Sequence, residues 1–233
     1  MRRAAFVTAV TESLRDQIAA LVPERSADVI AMGVDVDRFA PSPGRAKGGG
    51  PLRVVSVARL NYVKGHVYFL DAMARLVAEG VDLSYDIAGA GPHEGEIRAH
   101  VEALSLQDRV RLLGAISEDA VVDLLRGADV FALTSFGQGE AAPVAVMEAM
   151  ACGLPVICSR IGGTGAMIED GVDGLLVAQR DVGSILAALR RLAVEPGFRA
   201  EIGAAARRSA LARFDYRVKA GQLRAAIEAA QSS

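Results

Sequence analysis

Two carboxylates, Glu140 and Glu148, stand eight positions apart in the run Glu140-Ala-Ala-Pro143-Val144-Ala145-Val-Met-Glu148 and bracket a helix start. Pro143 suits the first position of that helix, because its φ is already helical and its missing N–H would have found no intrahelical partner. The free donors then fall to the backbone of Val144 and Ala145. Together with the positive end of the helix dipole they offer a place where a diphosphate can sit without a charged side chain. Glu148 lies one turn further along the same face as Val144, and Glu140 precedes the helix in a loop made pliable by Phe136-Gly137-Gln138-Gly139. One acid on a loop and one on a helix can flank a single ligand. An acid near a helix start also serves as plain dipole compensation, so the pair acquires meaning only with other segments.

Three further loops supply them. Ala58-Arg59-Leu-Asn-Tyr-Val-Lys64-Gly65-His66 puts two cations in one loop, where Arg59 can fork onto phosphate oxygens and Lys64 can act as a point charge; solvated surface charges are the bland alternative. Gly89-Ala90-Gly91-Pro92 follows an apolar run and permits close backbone approach, but it lacks the third glycine and the clearly placed acid of a dinucleotide fingerprint. A tight turn would look the same. Ser159-Arg160-Ile-Gly162-Gly163-Thr164 reads as a ligand-facing loop or, equally well, as a plain connection. His66, His93 and His100 have no acid or nucleophile at a recognisable spacing, and Met147 and Met150 read as core filler.

The elements that must position these groups alternate in type. Short apolar runs bounded by Gly, Asp or Pro predict strands at Arg53 to Ala58, Leu83 to Ala88, Arg109 to Leu113, Val130 to Thr134, Pro155 to Cys158 and Gly174 to Val177. Helices are expected between them at His66 to Glu79, His93 to Leu104, Glu118 to Arg126 and Pro143 to Cys152. Ser117 caps the third of these, and Gly153 with Pro155 stops the fourth. Repeated βαβ units of this kind make an α/β fold, a Rossmann-like parallel sheet with helices on both faces. In such sheets ligands sit beyond the carboxyl ends of the strands, where all four loops would lie.

The organisation expected is an N-terminal segment over residues 1–40, a flexible Pro/Gly connector over 41–52, the sheet core over 53–178 and a helical C-terminal tail over 179–233. The tail helices are expected at Asp181 to Glu195, Arg199 to Arg213 and Arg217 to Ala230. The first segment, with a strand-like run at Ala4 to Val10 and an amphipathic stretch to Val22, is too short for a second nucleotide-type domain.

Composition narrows the class. The 233 residues are 52% hydrophobic and carry 26 Lys and Arg against 28 Asp and Glu, for a net charge of −2. The charges are dispersed, without the basic stripe that nucleic-acid binding uses, so no nucleic-acid partner is expected. No apolar run approaches the roughly 20 residues that span a bilayer, and no secretory signal is expected. Cys152 and Cys158 lack metal-ligand spacing and read as reduced, buried, cytosolic thiols, so a cytoplasmic protein without a metal is expected.

With these residues assembled, the chain resembles the nucleotide-sugar-binding half of the retaining glycosyltransferases of family 4, which are built from two Rossmann domains. The resemblance runs from about Val7 to the C-terminus. It rests on the Glu-x7-Glu motif at Glu140 and Glu148 with the following Glu-Ala-Met-Ala-Cys-Gly-Leu-Pro-Val, and on Arg59 with Lys64-Gly65, Gly89-Ala-Gly91-Pro92 and Met32-Gly33-Val34-Asp35 in the same order.

The resemblance implies a phosphorylated sugar donor, a UDP-sugar or GDP-sugar, and no cofactor or metal. Arg59, Lys64 and the amides of Val144 and Ala145 would contact its diphosphate, near Gly89 and Gly91. Glu148 would take the ribose hydroxyls, Glu140 the transferred sugar, and the backbone near Leu112 and Leu113 would lie by the base. Arg59, Lys64 and Glu140 would be the catalytic groups. Glu140 is not assigned as a covalent nucleophile.

Two departures from the family pattern are implied. Thr164-Gly165-Ala166 occupies a stretch where relatives often have Pro-Glu, and the resemblance implies a chain lacking the N-terminal acceptor-binding domain, since it opens near the point where relatives cross between domains. An isolated donor half would bind its donor and turn over poorly, needing an acceptor-binding domain or protein, through which peripheral membrane association is also open. A non-catalytic nucleotide-sugar-binding or interaction module is the alternative, and a Rossmann-type oxidoreductase is disfavoured by the incomplete glycine fingerprint.

Overall fold

A computed structural model describes residues 4, 6–42, 50–137 and 140–231. Part of the expected connector and two residues of the Phe136–Glu140 loop therefore lie outside the described residues. The chain runs β1 (Thr8–Ala9), α1 (Glu12–Leu21), β2 (Asp28–Val29), β3 (Leu52–Val57), a 3₁₀ turn (Tyr62–Lys64), α2 (His66–Ala78), β4 (Leu83–Ala88), α3 (Glu94–Ala103), β5 (Val110–Gly114), α4 (Glu118–Gly127), β6 (Val130–Leu133), α5 (Val144–Ala151), β7 (Val156–Ser159), α6 (Thr164–Met167), β8 (Leu175–Val177), α7 (Val182–Val194), α8 (Pro196–Arg213) and α9 (Tyr216–Gln231).

Strands β3 to β8 form one parallel sheet in the order β5-β4-β3-β6-β7-β8. The order reverses between β3 and β6, and the gap between their carboxyl ends is the position at which doubly wound sheets commonly hold their ligands. Every residue of β6 and β7 is buried, as expected for strands covered on both faces. The pleat sorts them. Val54, Val130, Ala132 and Ile157 join a core with α2, α3 and α7, whereas Val55, Phe131, Leu133, Val156 and Cys158 join a second core with α4, α5 and α8.

This sorting changes how the C-terminal region reads. Ile185, Leu189 and Leu192 of α7 and Ile202 of α8 lie in the first core, and Ala206 and Ala210 of α8 in the second. Those two helices are layers of the sandwich, and α9 alone of the three buries no residue. Residues 34–39 also belong to the core: Val34, Val36 and Phe39 are buried, and the Arg207 guanidinium binds the carbonyls of Val36, Phe39 and Ala151. Of the strand-like run Ala4 to Val10, whose Ala5 lies outside the described residues, Thr8–Ala9 form β1, which pairs with β2.

Candidate functional site

Loops from both sides of the strand-order reversal meet here. After β3, the chain turns through the 3₁₀ turn into α2; after β6 it passes Thr134, Ser135 and Phe136 toward Glu140. Phe136 N–H donates to the Val63 carbonyl at 2.8 Å and Thr134 Oγ1 donates to the Gly65 carbonyl at 3.0 Å. These bonds bring the cations of one loop to the acid of the other. Lys64 Nζ donates to Glu140 Oε1, and Ser135 Oγ donates to the same oxygen at 2.8 Å. The pair is largely withdrawn from solvent, with side-chain exposures of 17% for Lys64 and 8% for Glu140. Arg59, by contrast, is exposed, five residues ahead of Lys64 in the same loop.

The helix after Glu140 begins one residue later than the sequence suggests. Pro143 is the N-cap, with φ −67° and ψ 114°, and Val144 is the first helical residue. The reason is that the Pro143 carbonyl already accepts the Val146 N–H at 3.1 Å, the part an N-cap residue plays. No side chain caps the helix. The Val144 and Ala145 amides thus remain the open donors, with no acceptor among the described residues.

Glu148 is partly buried on α5, and burial pushes its carboxyl up to about 6; Glu118 raises it further, while Arg38 pulls it down. Arg38 bridges Glu118 at 2.9 Å and Asp119 at 2.8 Å. Glu118 opens α4 soon after Leu112 and Leu113, which sit half-buried at the end of the edge strand β5, so the loop after β5 reaches the neighbourhood of Glu148. A carboxyl whose folded pKa is raised above its ordinary 4.5 contributes stability that is complete below 4.5 and lost as pH rises through 6. Glu148→Gln is therefore expected to be about 1 kcal/mol more stable than the parent chain at pH 7.5 and equal to it at pH 4, as read by urea denaturation at the two pH values.

The two glycine loops act as backbone supports. Gly89 has φ +141°, and a Cβ there would stand 1.8 Å from the Ala58 carbonyl oxygen; one on Gly91 would stand 2.5 Å from that of Leu60. Ladder-like bonds from Ala58 N–H to Ala88 and from Leu60 N–H to Ala90, both 3.0 Å, fasten the Arg59 loop onto this Gly-x-Gly segment. Gly162, φ +52°, lies under the other loop: a Cβ would come within 1.6 Å of the Glu140 carbonyl oxygen. The Ser159–Thr164 loop is thus brought to Glu140, and Ile161 and Gly162 share with it a cavity of about 510 Å³.

Sequence reasoning missed several participants. Ser135 holds Glu140; a hydroxyl directly beyond an apolar strand was the available signal. Gln179 accepts the Gly137 N–H at 2.8 Å and donates to the Arg160 carbonyl at 3.0 Å, joining the loops after β6 and β7. Thr11, Ser13 and Gln17 of the α1 region form the far wall of the cavity, and no local pattern pointed to them. The histidines are less isolated than their spacing suggests. His100 Nε2 lies 2.8 Å from Asp71, His93 Nδ1 lies 3.1 Å from Glu96, and buried His66 meets the Tyr85 hydroxyl at 3.1 Å. Their partners are distant in sequence or one helical turn away. Cys152 and Cys158 are buried and unpaired, and burial holds the Cys152 thiol up at about 12. No group of His, Cys, Asp and Glu among the described residues could hold a metal ion, and none of the helices described is long and apolar enough to cross a membrane.

A six-stranded doubly wound sheet with an acid, a cation and open helix amides at its reversal point defines an α/β protein of the Rossmann-like class with a polar crevice at that point. The sequence goes further: residues 40–209 match the family Glycosyl transferases group 1, and the chain belongs to it. It is 39% identical over 171 residues to WcaL of Salmonella typhimurium, a candidate colanic acid biosynthesis glycosyltransferase, covering 72% of this chain and 42% of the relative. It is 31% identical over 231 residues to a GDP-mannose-dependent alpha-(1-6)-phosphatidylinositol monomannoside mannosyltransferase of Mycolicibacterium smegmatis, covering 93% of this chain and 60% of the relative. The fold matches that of Anabaena Alr3699/HepE, solved with UDP and glucose, at a TM-score of 0.87 and 24% identity, over 97% of this chain and 64% of the other. The chain therefore spans 42% to 60% of the length of these two curated relatives.

Proposed function

We propose that this chain is the nucleotide-sugar-binding part of a retaining glycosyltransferase of family 4, transferring a sugar from an NDP-sugar to an acceptor held by a further domain or protein. The observation that carries the reading is the cluster at the sheet reversal, where Lys64, Glu140 and Ser135 converge just ahead of the open Val144 and Ala145 amides. The donor's diphosphate lies on those amides, Lys64 and Arg59, with the Gly89 and Gly91 loop behind. Glu148 takes the ribose hydroxyls, the main chain by Leu112 and Leu113 the base, and Glu140 the sugar.

Negative charge grows on the diphosphate as it leaves, and fixed cations and amides aimed at it are worth most in a site that excludes water. In this reading Lys64 and Arg59 serve that purpose, so no metal enters the step. Glu140 Oε1 already accepts from Lys64 and Ser135, which supports a positioning acid over a covalent nucleophile. A reducing, cytoplasmic setting is part of the proposal and is supported by the unpaired cysteines.

Calorimetric titration with UDP, GDP and their glucose and mannose conjugates tests it. One nucleotide series is expected to bind, and Glu148→Ala is expected to weaken the nucleotide itself about tenfold or more, the cost of a lost charged hydrogen bond. Affinity in the parent chain should also fall as pH drops below about 6, since a protonated Glu148 accepts poorly. Equal affinity of the parent and Glu148→Ala for every nucleotide would sink the assignment.

A further inference from the structure

We infer that Glu140 is the resting counter-ion of Lys64, and that the donor's diphosphate takes Lys64 away from it, so the site opens by an exchange of anions on one cation. This rests on the donor-site reading above and adds to it what the empty site does. Lys64 is the half-buried cation of its loop, and in the structure its ammonium is committed to Glu140 Oε1. Glu140 is held in turn by Ser135 on that same oxygen and from behind by the packing of Gly162 on its backbone. The acid is therefore fixed, and the flexible partner is the lysine, a point charge on a four-carbon stem.

The consequences differ for the two halves of a donor. A ligand that brings only a diphosphate competes with Glu140 for Lys64 and leaves a carboxylate with 8% side-chain exposure short of one partner, a costly state. A ligand that also brings a sugar offers hydroxyl donors to the released carboxylate. The cavity beside Glu140 suits such a group: among the described residues its other lining groups, including Thr11, Ser13, Gln17, Ala141 and Ile161, are uncharged. The exchange thus favours the intact nucleotide sugar over the spent nucleotide, and it does so before any chemistry.

The test is a double-mutant cycle on the whole chain with inorganic pyrophosphate, UDP and GDP as probes, together with the sugar conjugates. Glu140→Gln keeps the shape and an acceptor for Ser135 but removes the competing charge. It is expected to bind the diphosphate probes about three- to tenfold tighter than the parent, to lose the parent's preference for the sugar conjugate, and to show a steeper loss of affinity with salt. In a Lys64→Ala background the same substitution should give no gain. If Lys64→Ala weakens the probes while Glu140→Gln leaves them unchanged or weaker, the exchange is wrong and the donor site stands. If neither the parent nor any variant binds a diphosphate, both readings fall. Ser135→Ala, which frees the acid without neutralising it, controls for a loop that merely loosens: a gain there equal to that of Glu140→Gln would overturn the exchange.

Discussion

Lys64→Ala is expected to lower affinity for the nucleotide donor by between ten- and a hundredfold, the range that follows from losing a charged hydrogen bond in a partly dry site. Lys64 ends the 3₁₀ turn before α2, and that turn is tied to the β6 loop through Val63 and Gly65, so its ammonium is delivered to the crevice and withdrawn from water. Arg59 shares the loop but is exposed, where a charge is solvated and screened. Arg59→Ala should consequently cost only about three- to tenfold. Calorimetry on the two variants decides the matter, and equal losses would mean that burial is not what makes Lys64 effective.

Gly162→Ala is expected to be the most damaging alanine substitution among the described glycines. At φ +52° an L-residue is strained wherever it stands, and here the new Cβ would lie 1.6 Å from a backbone oxygen, that of Glu140, which cannot rotate away. Either the loop after β7 or the one bearing Glu140 must move. We expect a loss of roughly 3 kcal/mol, a fall in Tm of about 10 °C, and with it loss of any discrimination that depends on the placement of Glu140. Gly197→Ala in α8 is the control, since nothing lies within 4 Å of its Cβ position and helix propensity favours alanine there. Thermal unfolding of the pair, followed by titration of Gly162→Ala well below its midpoint, separates stability from placement; a Tm within 2 °C of the parent would show that the close approach is easily relieved.

The six strands of the main sheet, β3 to β8, were legible to within a residue or two because each is a short apolar run cut off by Gly, Asp or Pro, and central parallel strands lose their polar positions when both faces are covered. Val130–Leu133 and Val156–Ser159 read this way and are buried throughout. The Ser117 cap was legible for the same local reason: its hydroxyl accepts the Ala120 N–H at 3.2 Å. Pro143 was misplaced by one position because its fixed φ suits N-cap and first turn alike, and only ψ, here 114°, distinguishes them. The role of the Gly162-Gly163 loop was not legible. A glycine pair signals close approach, but the backbone it approaches lies in another loop.

Sequence by itself determined the order and type of the elements, the alternation that sorts side chains between two cores, and the presence of two acids, two cations and a helix start beyond strand ends, since each is a matter of neighbours along the chain. Tertiary structure decided which of these groups meet. That Lys64 pairs with Glu140 across 76 positions, while Arg59 stays in solvent, follows from β6 lying beside β3 in the sheet. That adjacency is fixed by the packing of helices on both faces, a property of the whole fold that no local window of residues contains.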